Sequence, residues 1–192
     1  MLKRVLIIFV AGALVGNCLG FHSKQLGEIN ISSKSPGAKT ISMAFSMENT
    51  ANGMVSAMSE EGIRVNKSFI LDTFVKSGVF KDVIQGEGKS DLFAETKLTR
   101  KDLSSNGLFL LSAITLSIIP SYITSEFTLE TTFKDKAGKV LGKVLKENKM
   151  THFNWLPTFL LMPFFSVEGA YRKAIDELAG ATLAEATTKG FF

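Results

Sequence analysis

At 192 residues the chain reads as one domain plus appendages, long enough for a real core. The formal net charge is +4, half of which Lys3 and Arg4 supply. The other lysines are scattered among Glu and Asp, which describes a solvated surface and excludes nucleic acid as a partner. Sixteen Phe against two Tyr and one Trp point to deep core or lipid contact, and the single cysteine excludes an internal disulfide.

The chain opens on a short basic start and an apolar run over residues 5–15. That is the length of a signal-peptide core and too short to span a bilayer. The run ends at Leu14-Val-Gly-Asn-Cys18, which resembles the lipobox of bacterial lipoproteins, with Asn17 where that family prefers Gly, Ala or Ser. The resemblance implies cleavage after residue 17 and a covalent lipid on the sulfur of Cys18. Leu19 is not the Asp that retains many such proteins in the inner membrane, so it further implies the outer membrane, with the body periplasmic or surface-exposed. Residues 18–38, rich in Ser, Gly and Lys, read as a lipid-anchored flexible tether that leaves orientation free.

Residues 39–192 read as a single α+β domain. Residues 40–47 alternate, with Ile41, Met43, Phe45 and Met47 on one face, as a half-buried strand does. Residues 48–62 read as loop. Asn66 then caps a helix carrying Phe69, Ile70, Phe74 and Val75, which Gly78 closes. Residues 79–85 and 90–100 are strands, the second with Leu92, Ala94, Thr96 and Leu98 inward. Residues 126–149 form a β-hairpin turning at Asp135-Lys-Ala-Gly138, its lysines making a solvated edge rather than an anionic-ligand site. Ser166 caps a last helix to Lys189 with an apolar stripe through Ala174, Ile175 and Leu178. The expected fold is a mostly antiparallel sheet of four to five strands with two helices on one face.

Two uncharged insertions, residues 103–125 and 150–166, interrupt this plan. The ends of a hairpin lie together, so both insertions should gather at one pole, roughly 30 Å from the turn if the strands run ten residues. Apolar surface gathered at one end wants a membrane or a partner. The candidate contact residues are Leu108, Phe109, Leu110, Leu111, Ile114, Ile118 and Ile119 in the first insertion. In the second they are Trp155, Leu156, Phe159, Leu160, Leu161 and Phe164.

Residues 68–83, Ser68-Phe-Ile-Leu-Asp-Thr-Phe-Val-Lys-Ser-Gly-Val-Phe-Lys-Asp-Val83, run a helix ending in Ser-Gly straight into an aromatic-led strand. With the Ala-rich Ala174-Ile-Asp-Glu-Leu-Ala179 this resembles bacterial envelope lipoproteins that share the fold of the TolB N-terminal domain and the curli-secretion lipoprotein. The resemblance covers about two-thirds of the mature chain and leaves the insertions unassigned.

Chemistry is sparse. His22 and His152 are the only histidines, with no third ligand at metal spacing, so no metal or catalytic residue is assigned. No cofactor is expected beyond the lipid on Cys18. The expected function is a non-catalytic, lipid-anchored interaction or assembly module, bound to the membrane by its lipid and apolar loops and to an envelope protein partner. One alternative is a homo-oligomeric outer-membrane secretion pore; another is a carrier of an apolar lipid ligand.

Overall fold

The computed structural model describes residues 18–23, 26, 39–86, 88–161 and 166–192. The expected export signal at 1–17, and residues 24–25 and 27–38 of the expected tether, lie outside the described residues. The elements run β1 (Cys18–Ser23), β2 (Thr40–Ala51), β3 (Met54–Val55), α1 (Glu60–Lys76), β4 (Asp82–Gln85), β5 (Leu92–Ser104) and α2 (Asn106–Ile114). Then come β6 (Ser121–Asp135), β7 (Val140–Asn154), a 3-10 turn (Leu156–Leu161) and α3 (Val167–Thr188).

The sheet has seven strands in the order β1-β7-β6-β5-β2-β3, with β4 also on β2. It is mixed, because β2 runs parallel to both β4 and β5. This corrects the expected four- to five-stranded, mostly antiparallel sheet, and α2 adds a third α-helix. The parallel pairing follows from α1, which carries the chain back along β2 so that β5 can run beside it in the same direction. β3 comes from the Asn52-Gly53 turn, whose residues sit at φ 49° and 82°, the left-handed pair a tight hairpin needs. The first six residues of the expected tether are strand β1, pairing antiparallel with the end of β7.

α1 begins earlier than expected. Ser59 accepts a hydrogen bond from Gly62 N, and Glu60 and Glu61 occupy the first turn, where a helix favours negative charge. Asn66 is therefore no cap. It is buried inside the helix, donating to Gly62 O and accepting from the Tyr171 hydroxyl. Gly78 closes the helix at φ 64°. The strand expected over 79–85 is only Asp82–Gln85.

α1 and α3 lie over one face of the sheet. Their links run in the same sense, Asn66 to Tyr171 and Thr73 to Asp176, so the helices are parallel. Beneath them Leu92, Ala94, Leu98, Phe127, Leu129 and Phe133 are buried with Ile70, Phe74, Ile175 and Leu178. Gly20 lies under the start of α3, where an added Cβ would stand 2.7 Å from Val167 Cα. β6 and β7 each have fifteen residues, so hairpin tip and pole are about 50 Å apart rather than 30. At the tip end Phe191 and Phe192 pack tilted against Phe133 at 5.9 and 5.6 Å and close the core.

Candidate functional site at the apolar pole

β5 delivers the chain to Ser105, whose hydroxyl caps α2 by accepting from Leu108 N. α2 ends in a left-handed turn of two non-glycine residues, Leu116 at φ 49° and Ser117 at φ 61°. Such residues cost about 1–3 kcal/mol each and persist only where the surroundings hold them. Here Ser117 N donates to Ser112 O at 2.7 Å, and Ser117 O accepts from Leu156 N at 2.8 Å. The second bond joins the two uncharged runs. Trp155 Nε1 donating to Ile118 O at 3.2 Å and Ser117 Oγ donating to Asn154 Oδ1 at 3.1 Å reinforce it. On the other flank Asn52 Nδ2 donates to Asn106 Oδ1 at 2.8 Å. Both runs, the β2–β3 turn and the start of β6 therefore share one end.

Of the candidate contact residues, Leu108, Phe109, Leu110, Leu111, Ile114 and Ile118 are exposed, from 37% at Leu108 to 72% at Ile114. Trp155 is exposed, and Ile119 and Leu156 are half-buried. Phe159, Leu160 and Leu161 fall in the 3-10 turn, and Phe164 lies outside the described residues. Cys18 opens β1 opposite Asn154, which also faces Ser121, so its backbone sits at this same end. A strand thus begins where a flexible tether is expected from sequence.

Five exposed apolar residues outside the candidate contact set join the patch: Phe21, Leu103, Leu116, Tyr122 and Phe153. Phe153 meets Phe21 edge-on at 5.8 Å and Tyr122 at 6.2 Å, an aromatic row across β1, β7 and β6. For Tyr122 and Phe153 the signal is alternation within strand ends, which the surrounding uncharged runs conceal.

Beyond that row the same sheet face turns ionic. Lys149 pairs with Glu126 at 2.8 Å, Lys143 with Glu130 at 2.8 Å and Lys97 with Glu48 at 2.7 Å, while Lys134 binds Glu95. These lysines face glutamates across the strands rather than an open anion site. The hairpin is not a bare edge either, since β1 covers the pole half of β7.

On the helix-covered face, a cleft of about 670 Å³ opens between the starts of α1 and α3, with Asn49, Arg100, His152 and Tyr171 in its lining. Arg100 lies against the Phe127 and Tyr171 rings, and its Nε donates to Asp102 at 2.8 Å. Ser125 donates to Asp102 at 2.6 Å and stands 3.1 Å from His152 Nε2. Burial first, and Arg100 next, push the His152 pKa below 6.5, while Asp102 pulls it up. Burial raises the Tyr171 pKa. Ser, His and Asp meet here in the wrong order for nucleophilic catalysis. The carboxylate engages the serine and Arg100, whereas a triad aspartate must orient the imidazole. Ser125 is also fully buried.

No family model and no curated protein matches the chain. Among solved structures, a PelC dodecamer variant from Paraburkholderia phytofirmans is 11% identical over 85% of this chain and 98% of that one, with a TM-score of 0.40. A second PelC dodecamer structure from that organism gives 11% identity over the same shares and a TM-score of 0.37. A neuraminyllactose-binding hemagglutinin homolog from Helicobacter pylori is 13% identical over 82% of this chain and 84% of that one, with a TM-score of 0.43.

Proposed function

We propose that the chain is a lipid-anchored cell-envelope protein without catalytic activity, held at the outer membrane by an acylated Cys18 and acting as an interaction or assembly module. The observation that carries this reading is the coincidence at one end of the sheet. The Cys18 backbone pairs with Asn154, and a large contiguous set of exposed apolar side chains surrounds that point. Monomeric soluble proteins rarely leave such a patch open. A lipid leaving from Cys18 would therefore hold the patch toward the bilayer and the hairpin tip away from it. The order of the Ser125, His152 and Asp102 contacts favours a non-catalytic body.

The pore alternative is less well supported, because much of the first uncharged run is helix α2 instead of a membrane-crossing strand. Growing the producing cells with an alkyne-bearing palmitate tests the proposal. The expected result is label on the mature protein in the membrane fraction, lost in Cys18→Ala together with envelope retention. Unlabelled protein, or Cys18→Ala protein labelled and retained as before, overturns it.

A further inference from the structure

We infer that the pole enters a single leaflet of the bilayer, α2 leading, to a depth set by Trp155 and Tyr122. This rests on the lipid-anchored reading and names what the pole touches.

The first reason is the helix itself. Leu108, Phe109, Leu110 and Leu111 are successive and all exposed, and at 3.6 residues per turn four successive positions face every direction around the axis. A helix that docks in a protein groove shows one apolar stripe and a polar back. α2 turns its one buried residue, Ser112, to the body and leaves apolar side chains exposed on its other faces, which hydrocarbon can surround.

The second reason is length. Nine residues make a rod about 13 Å long, less than half of a hydrocarbon core of about 30 Å. No helix among the described residues is long and apolar enough to cross a membrane. The element fits one leaflet.

The third is hydrogen bonding, since hydrocarbon offers no partner to a free N–H or C=O. Where the backbone leaves the helix it binds itself: Leu116 N to Ala113 O, Ile118 N to Thr115 O, Ile119 N to Thr115 Oγ1 and Leu156 N to Ser117 O. The Trp155 indole takes up Ile118 O.

The fourth is layering. Below the apolar tip come Tyr122 and Trp155, side chains with an apolar body and a polar handle that settle at the membrane–water boundary. Four residues along β6 from Tyr122, about 13 Å away, stands the Glu126–Lys149 pair, where charge returns. Cys18, paired with Asn154 beside Trp155, would start its acyl chains at the level of the boundary.

Trp155 is the only tryptophan, so its fluorescence reports the pole without a label. Acylated full-length protein is reconstituted into phosphatidylethanolamine–phosphatidylglycerol vesicles carrying lipids brominated either near the headgroup end or near the methyl end of the acyl chain. The expected result is a blue-shifted Trp155 quenched more strongly by the shallow bromines. The double variant Leu110→Glu, Ile114→Glu should stay vesicle-bound through its lipid yet lose quenching by about threefold or more, because charge resists entry into hydrocarbon. Both side chains are more than three-fifths exposed, so the variant should keep the parent Tm. Leu116→Glu, 66% exposed, places an independent charge at the tip and should act in the same direction. Wild-type protein that is bound but unquenched, or quenched equally with its variants, overturns the insertion and leaves the anchored reading standing. Protein that does not float with vesicles overturns both.

Discussion

The two ends of the β6–β7 hairpin are both aromatic and are treated in opposite ways. At the tip end, Phe133 is fully buried, with Phe191 and Phe192 packed tilted against it and Phe80 at 4.8 Å from Phe192. At the pole end, Phe21, Tyr122, Phe153 and Trp155 stay exposed beside α2. The same residue chemistry thus serves the core at one end and is left open at the other. The open end contributes little to folding, so its apolar character must answer to something outside the chain.

Breaking the covered end should cost most. Phe133→Ala removes a fully buried ring and should destabilise by about 3–5 kcal/mol, read as a lower urea midpoint. Next comes Gly20→Val. A Cβ at Gly20 meets Val167 Cα at 2.7 Å and Ala170 Cβ at 3.0 Å, so β1 must lift away from α3. The expected loss is about 1–3 kcal/mol, with faster amide exchange along β1 than along β6 as the distinguishing signature. If β1 protection is unchanged, β1 is not packed as described.

A smaller effect comes from His152. Its folded pKa lies below 6.5, so the unfolded chain takes up this proton first as pH falls. Its contribution is complete above 6.5 and is lost as pH falls through 6.5 toward the lower folded value. His152→Gln should flatten that part of the acid limb in urea titrations, and an unaltered limb would contradict it. Smallest of all, Leu110→Glu at the open end should change stability in water by less than about 0.5 kcal/mol, measured by the same urea midpoint. A large loss there would mean that the pole belongs to the core.

What could be read from sequence follows the same divide. Burial on one side imprints a period, so the alternation of Phe127, Leu129, Thr131 and Phe133, the stripe through Ala174 and Leu178, and the inward set Leu92 to Leu98 were all legible. The locations of the two uncharged runs were legible from the absence of charge. α2 was not, because its one buried residue, Ser112, is polar while its apolar residues are exposed, so no apolar period marks the inward face. β1 was hidden by Gly20 and by the tether-like composition that follows it. The Asn52-Gly53 turn signal is plain in the sequence, but the strand it leads into, β3, has two residues and so shows no alternation. The parallel pairing of β2 with β5, and the register that sets Asp102 opposite Ser125, are long-range consequences that no local window contains. Asn66 looked like a cap because it is followed by apolar residues, whereas Ser59-Glu60-Glu61 had both the cap and the charges.

If Cys18 and the apolar pole face one bilayer, the molecule must stand with its long strands away from the surface. Neutron reflectometry on acylated protein bound to a supported bilayer measures this directly. The expected profile is protein density reaching about 50 Å beyond the headgroups, the length of fifteen-residue strands, with a thin apolar portion inside the leaflet that faces the protein. A low, flat layer, or one separated from the headgroups by a water gap, would contradict it.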